Sequence, residues 1–156
     1  MRDQPLSLIK VTVSPDSVDA VVHVNPDFST VTESLARHML SVLPALSTHL
    51  CVNGPHDRFG QMMAGTSTAH LLEHTALELM TQEAHMNNPA VRVLFEGHTS
   101  SIGAGDMRVV VTYADDLVAL SALQQAAGLI AWGFEGSAPT PNMERLVNGL
   151  HALRRA

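Results

Sequence analysis

Apolar residues recur along this chain in two rhythms. Leu6 to Val13 and Val18 to Val24 are short runs rich in Leu, Ile and Val. Ser14-Pro15-Asp16-Ser17 between them is a turn signal, so the pair predicts a hairpin. Asn25-Pro26-Asp27 ends it. The rhythm then lengthens: Val31, Leu35, Met39 and Val42 recur at helical spacing. Ser29 or Thr30 would cap this helix and Pro44 would close it. From Ala45 to Met63 no period is visible. Asn53-Gly54-Pro55 reads as a turn, and an irregular segment is expected.

The next helical pattern runs from about Ser67 to about Ala84, stopped by Asn87-Asn88-Pro89. Its wheel places Ala69, Leu72, Ala76, Leu79 and Met80 on one face. His70, His74, Glu78, Thr81 and His85 lie on the opposite one. This predicts a helix resting on a sheet with its histidines turned to a cleft. Val91 to Phe95 and Met107 to Tyr113 read as strands. The link from Gly97 to Asp106 is too long for a plain hairpin loop and is expected to line a site. Asp115-Asp116 would cap a helix from about Leu117 to Trp132, with Leu117, Leu120, Leu123 and Ala127 on its stripe. A Gly/Pro-rich connector follows, and Met143 to Leu153 is a last helix.

The predicted order is β-β-α-α-β-β-α-α. Strands in local pairs favour an antiparallel sheet with helices packed mainly on one face, an α+β fold. The 156 residues fit a single domain, 1–156. Aromatic residues are only 4% of the chain, so its core must be aliphatic and methionine-rich.

Charge narrows the function. There are 9 basic and 15 acidic side chains, a formal charge of -6, and one lysine, Lys10. No Lys/Arg cluster offers a nucleic-acid surface. No apolar stretch is expected to reach membrane-spanning length, and the N-terminal residues lack the apolar run of a signal peptide. One cysteine, Cys51, allows no intrachain disulfide. A cytoplasmic protein is expected. Nine histidines are the most unusual feature of the composition.

Two of them sit in the stretch Gly65-Thr66-Ser67-Thr68-Ala69-His70-Leu71-Leu72-Glu73-His74-Thr75-Ala76-Leu77-Glu78-Leu79, which contains His-x-x-Glu-His. On a helix His70 and His74 are one turn apart and point the same way, a spacing at which two imidazoles grip one Zn2+ ion. Glu73 beside them is placed to take a proton from the attacking water. The bland alternative is a solvated helix face that carries histidines. A catalytic zinc needs a third protein ligand. Glu78 is one turn beyond His74 but roughly 12 Å from His70 along the axis. It stands either as a ligand or as a hydrogen-bond partner of His74. Glu96, His98, Asp115, Asp116, Glu135 and Glu144 are further candidates. Cys51, a lone thiol after Leu50, is expected to be a core residue rather than half of a Cys-His dyad. Gly103-Ala104-Gly105 lacks the flanks of a nucleotide-binding loop.

The same stretch resembles two families. Gly65 to His74 is similar to the inverted zinc motif of the pitrilysin/insulinase class of peptidases. That resemblance implies His70 and His74 as zinc ligands and Glu73 as general base, with a downstream glutamate as third ligand. A longer resemblance is to the N-terminal domain of cyanophycin synthetase. It rests on His49, Cys51, Gly54, Arg58, Phe59, Gly65, Thr66, His70, Glu73, His74, Ala76, Leu77, Glu78 and Leu79. Gly97-His98-Thr99 and Val110-Val111-Thr112-Tyr113 continue it. The arginine usual after the Gly-x-Thr step is Ser100 here, and His56-Asp57-Arg58 stands where a double glycine is usual. The resemblance implies a peptidase-like fold and polymer binding, in some members with trimming of polymer.

Two functions are therefore expected. One is a zinc-dependent metallopeptidase or amide hydrolase acting on a peptide or polypeptide. The alternative is a non-catalytic peptide- or polymer-binding module of the cyanophycin synthetase type. Pitrilysin-type enzymes bury their sites between paired domains, and a homodimer would supply such an enclosure here.

Overall fold

The computed structural model describes residues 4–51, 58–90 and 92–154. The predicted hairpin forms as β1 (Leu6–Val13) and β2 (Ser17–Val24), antiparallel, with a bulge between Leu8 and Lys10. With β3 (Gly97–Gly103) and β4 (Asp106–Thr112) these strands make one antiparallel sheet in the order β1-β2-β4-β3. β2 shows why the register holds. Val18, Ala20, Val22 and Val24 are buried in alternation. Ala20 pairs with Val109, and Val18 with Val111, so the inner face is continuous across two strands. A slip of one residue would turn all of these to water. On the outer face Asp19 meets Arg108 at 3.2 Å.

The helices are α1 (Glu33–Val42), a single turn α2 (Phe59–Met62), α3 (Thr68–Asn87), α4 (Asp116–Glu135) and α5 (Met143–Leu153). α3 packs on β2, β3 and β4, and α4 packs beside it on β1 and β2. α1 covers α4, while α5 covers α3 and α4. This is the α+β arrangement that the strand pairing predicted. Thr32, rather than Ser29 or Thr30, caps α1 through a 3.1 Å bond to the Leu35 amide. Asp115 caps α4 by accepting from Leu117 and Val118.

Three expectations need correction. The first concerns the strand before the Gly-rich link. Val91 lies outside the described residues, and 92–96 form no regular element. The strand is the link itself, β3, which turns tightly through Gly103, Ala104 and Gly105, all at positive φ. Its residues are small and polar because only one side of this edge strand meets the core. The second concerns α4. Its buried stripe is Val118, Ala119, Ala122, Leu123, Ala126, Leu129 and Ile130, while Leu117 is at the surface. By length and hydropathy this 20-residue helix would suffice to cross a membrane. Its buried stripe against α3 and the sheet is that of a core helix. The third is α3. From Thr68 to Met80 every residue but His70 is buried. Of the expected polar face, His74 and Glu78 are buried between β3 and residues 46–51, His70 and Thr81 are half-buried, and only His85 is exposed, so most of the helix lies inside the protein rather than upon it. Within the stretch expected to be irregular, Pro44–Thr48 form a 3-10 helix and α2 a single turn. The Asn53-Gly54-Pro55 turn lies outside the described residues.

Candidate metal centre

The lead-in to α3 is stitched in place by backbone bonds. Gly65, at positive φ, donates to the Val31 carbonyl at 2.8 Å, and Val31 donates to that of Thr66 at 2.9 Å. Thr68 donates through both its amide and its hydroxyl to the Phe28–Ser29 segment. The Ser67 hydroxyl caps the helix by accepting from the His70 amide at 3.1 Å. The first turn, which carries His70, is thereby fixed against the rest of the fold.

One turn later His74 is only 3% exposed. Its ring stacks on that of Phe59, with centroids 4.0 Å apart and planes 15° from parallel. Phe59 also meets the edge of His70, at 5.1 Å. Both imidazoles thus rest on one buried aromatic ring. Each is held at Nδ1: Thr66 Oγ1 is 2.8 Å from that of His70, and His49 Nδ1 is 3.1 Å from that of His74. His49 Nε2 in turn bonds Glu78 Oε1 at 2.9 Å.

Cys51 completes the group. Its Sγ lies 3.4 Å from His70 Nε2. Leu50 bridges to Arg58, and Phe59 N donates to the His49 carbonyl at 2.7 Å, which fastens residues 49–51 to α2. Cys51 is buried, as expected of a core residue, and its thiol in addition faces the histidines. Cys51, His70 and His74 each bring one ligand atom within 4.8 Å of the others, and could hold a metal ion. A thiolate and two imidazoles are the donors that tetrahedral transition-metal sites use, and three of them leave one position open.

Glu73 stands beside this group. Its Oε2 is 3.6 Å from His74 Nε2, and its Oε1 accepts from the Thr99 hydroxyl at 2.7 Å. Thr99 is on β3, so the edge strand grips the motif helix at this carboxylate. Gly97 permits the approach, because a Cβ there would lie 2.6 Å from Glu73 Cγ. Electrostatics divide the roles. Burial raises the pKa of Glu73, against a lowering by the Thr99 hydrogen bond and by His98 and His49. Burial also lowers that of His70. His74 is pushed down to about 3, by burial first and then by His70 and His49. Both rings are thereby favoured in the neutral form, the one in which an imidazole can hold a metal.

These residues line a cleft of about 620 Å³ between α3, β3 and the segment before it. Glu96 and His98 are on its wall. Glu78 faces away from the ligand group, toward His49 and Gln82. Asp115 and Asp116 cap α4, Glu135 is the last residue of α4, and Glu144 is in the first turn of α5. The link from Gly97 is expected to line a site, and Gly97 to Ser101 do line this cleft, but spacing assigns no individual role to Phe59, Thr66, Thr99 or Gly97. The signal that marks them is the longer resemblance, whose matched positions include Phe59, Thr66, Gly97 and Thr99 and converge on this cleft.

Comparison with curated proteins gives no match. A family model, the cyanophycin synthase-like N-terminal domain, matches residues 18–132. That span runs from β2 to Trp132 near the end of α4 and contains Cys51, the whole of α3 and Thr99. It is well over half of the chain. With its motif helix held under an antiparallel sheet, this chain belongs to the cyanophycin synthase-like N-terminal domain family.

Proposed function

We propose that this protein is a zinc-dependent amide hydrolase that acts on an extended peptide or polypeptide. One observation carries the reading. A Cys/His/His ligand group and the carboxylate of Glu73 open into the same cleft. Cys51, His70 and His74 would hold the metal. Zinc bound there supplies Lewis-acid polarisation of a carbonyl and a nucleophilic water at neutral pH. Glu73 would take the proton of that water and return it to the leaving amine. Thr99 keeps the carboxylate turned into the cleft, and Phe59 keeps both rings in place. The wall opposite α3 is the edge strand β3, whose outer edge pairs with no strand among the described residues and suits an extended chain. A thiolate ligand survives best in a reducing compartment, which favours the cytoplasm.

The second reading is a module that binds peptide or polymer without cutting it. It is favoured by the family, whose name points to handling of a polymer. Metal analysis and turnover separate the two. The hydrolase should hold about one zinc per chain and lose it in His70→Ala. Glu73→Gln should keep the metal and lose turnover on peptides. A folded protein that takes up no zinc would end the hydrolase reading. Polymer binding unaffected by Glu73→Gln, with no cleavage by the parent protein, would establish the module.

A further inference from the structure

We infer that Glu78 and His49 form a relay that sets the tautomer of His74 and leaves its Nε2 bare for the metal. This rests on the zinc reading of the site and extends it to two positioning residues. Hydrogen-bond polarity along this run of side chains fixes the protons. Glu78 receives two contacts: Gln82 Nε2 at 2.8 Å on Oε2 and His49 Nε2 at 2.9 Å on Oε1. A carboxylate only accepts, so His49 carries its proton on Nε2. The neutral imidazole must then accept at Nδ1. The atom it faces, 3.1 Å away, is His74 Nδ1. Two ring nitrogens this close cannot both donate or both accept, so the proton between them belongs to His74. The lone pair of His74 is left on Nε2, on the Glu73 side of the ring.

Opposite polarity would need a proton on Glu78 or a second one on His49. The relay is also rigidly placed. Glu78 is one turn beyond His74 on α3, His49 follows the 3-10 helix Pro44–Thr48, and Phe59 stacks on the far ring. The carboxylate that seemed too distant to be a ligand thus acts through an intervening imidazole. Histidine ligands are commonly oriented by such outer partners, at a cost of about 10- to 100-fold in metal affinity when these are lost.

Nitrogen-15 NMR of the metal-free protein reads the ring tautomers directly. The parent protein should show His49 with its proton on Nε2 and His74 with its proton on Nδ1. Glu78→Gln is nearly isosteric. Its amide would keep the carbonyl toward Gln82 and turn an N–H to His49, which inverts the chain. His74 should then move to the Nε2–H form, and zinc affinity should fall by roughly 10- to 100-fold. Glu78→Asp keeps an acceptor and should keep the Nδ1–H form. A parent protein with His74 protonated on Nε2, or with His49 doubly protonated, overturns the relay. So does a folded Glu78→Gln variant with His74 unchanged. Should that variant not fold, the parent and Glu78→Asp spectra decide. Expected tautomers in a protein that binds no zinc would defeat the hydrolase reading and leave the relay standing.

Discussion

The Thr99 hydroxyl donates to Glu73 Oε1 at 2.7 Å, and this bond ties the edge strand of the sheet to the motif helix. It has an electrostatic consequence. Burial raises the pKa of Glu73, and the Thr99 bond is the largest influence opposing it. Thr99→Val should remove that opposition and raise the pKa further. A base works ionised, so the acid limb of the pH–rate profile should move to higher pH while the alkaline limb stays. Carboxyl titration followed by NMR checks the same shift without turnover.

Glu73 also bears on stability. Its folded pKa lies above the unfolded value, so the folded state binds the extra proton between the two. Stability therefore falls as pH rises through that window, and at neutral pH the ionised carboxylate works against folding. Metal-free Glu73→Gln should melt higher than the parent at pH 8 and show little difference at pH 4. Thermal unfolding at the two pH values tests it. Equal gains at both would mean that charge is not the cause.

The sequence reveals the hairpin, α1, α4, α5 and the motif helix because each has a strong period and a recognisable cap. It conceals β3 because Gly97, His98, Thr99, Ser100 and Ser101 carry no apolar alternation; this edge strand is held by β4 and by Glu73 instead. The burial of α3 is equally hidden. A wheel sorts residues by polarity: it turned His74 and Glu78 toward a cleft but could not show that both would be buried. In the fold they are buried because His49, Phe59 and Cys51 come from a segment without periodicity to partner them. Spacing on one helix identifies ligands that the helix itself supplies. It cannot identify a donor such as Cys51, brought across by the chain's tertiary path.

At Gly97 the backbone of β3 passes close over Glu73. A Cβ at this position would lie 2.6 Å from Glu73 Cγ and 2.8 Å from its Oε2. Gly97→Ala must displace the carboxylate or push the edge strand outward. Activity should drop by one to two orders of magnitude, in keeping with the sensitivity of positioned groups to shifts of about 1 Å. Zinc content should be unchanged, because Cys51, His70 and His74 are not touched. Loss of metal in this variant would mean that β3 also shapes the ligand group.

His74 should make the metal-free protein sensitive to acid. Its pKa in the fold is pushed down to about 3, from 6.5, by burial and by the neighbouring histidines. The unfolded chain binds the proton first, so stability is full above about pH 6.5 and is lost as pH falls toward 3. The loss is on the order of a few kcal/mol. Denaturant titrations at pH 7, 5.5 and 4.5 should show it. Zinc should protect, since the bound metal competes with the same proton.

Toward the C-terminal end of α3, Glu83 ties Arg154 and His151 to that helix. Its side chain is 1% exposed and takes two bonds from Arg154, at 2.7 and 2.5 Å, and one from His151 at 3.1 Å. Burial alone would raise its pKa, but these bonds and charges outweigh burial and lower it. Its contribution is thus present above the unfolded value of 4.5 and lost as pH falls through the folded one. Arg154→Ala leaves a buried carboxylate with His151 alone and should destabilise by roughly 3 kcal/mol at neutral pH. The sign of the Glu83 shift should then weaken or reverse, because burial is no longer outweighed. Urea unfolding at pH 7 and pH 4 reads both effects: the parent should lose more stability on acidification than the variant does. Zinc affinity measured below the melting temperature should be the same in both, since α3 keeps its packing against the sheet at the other end.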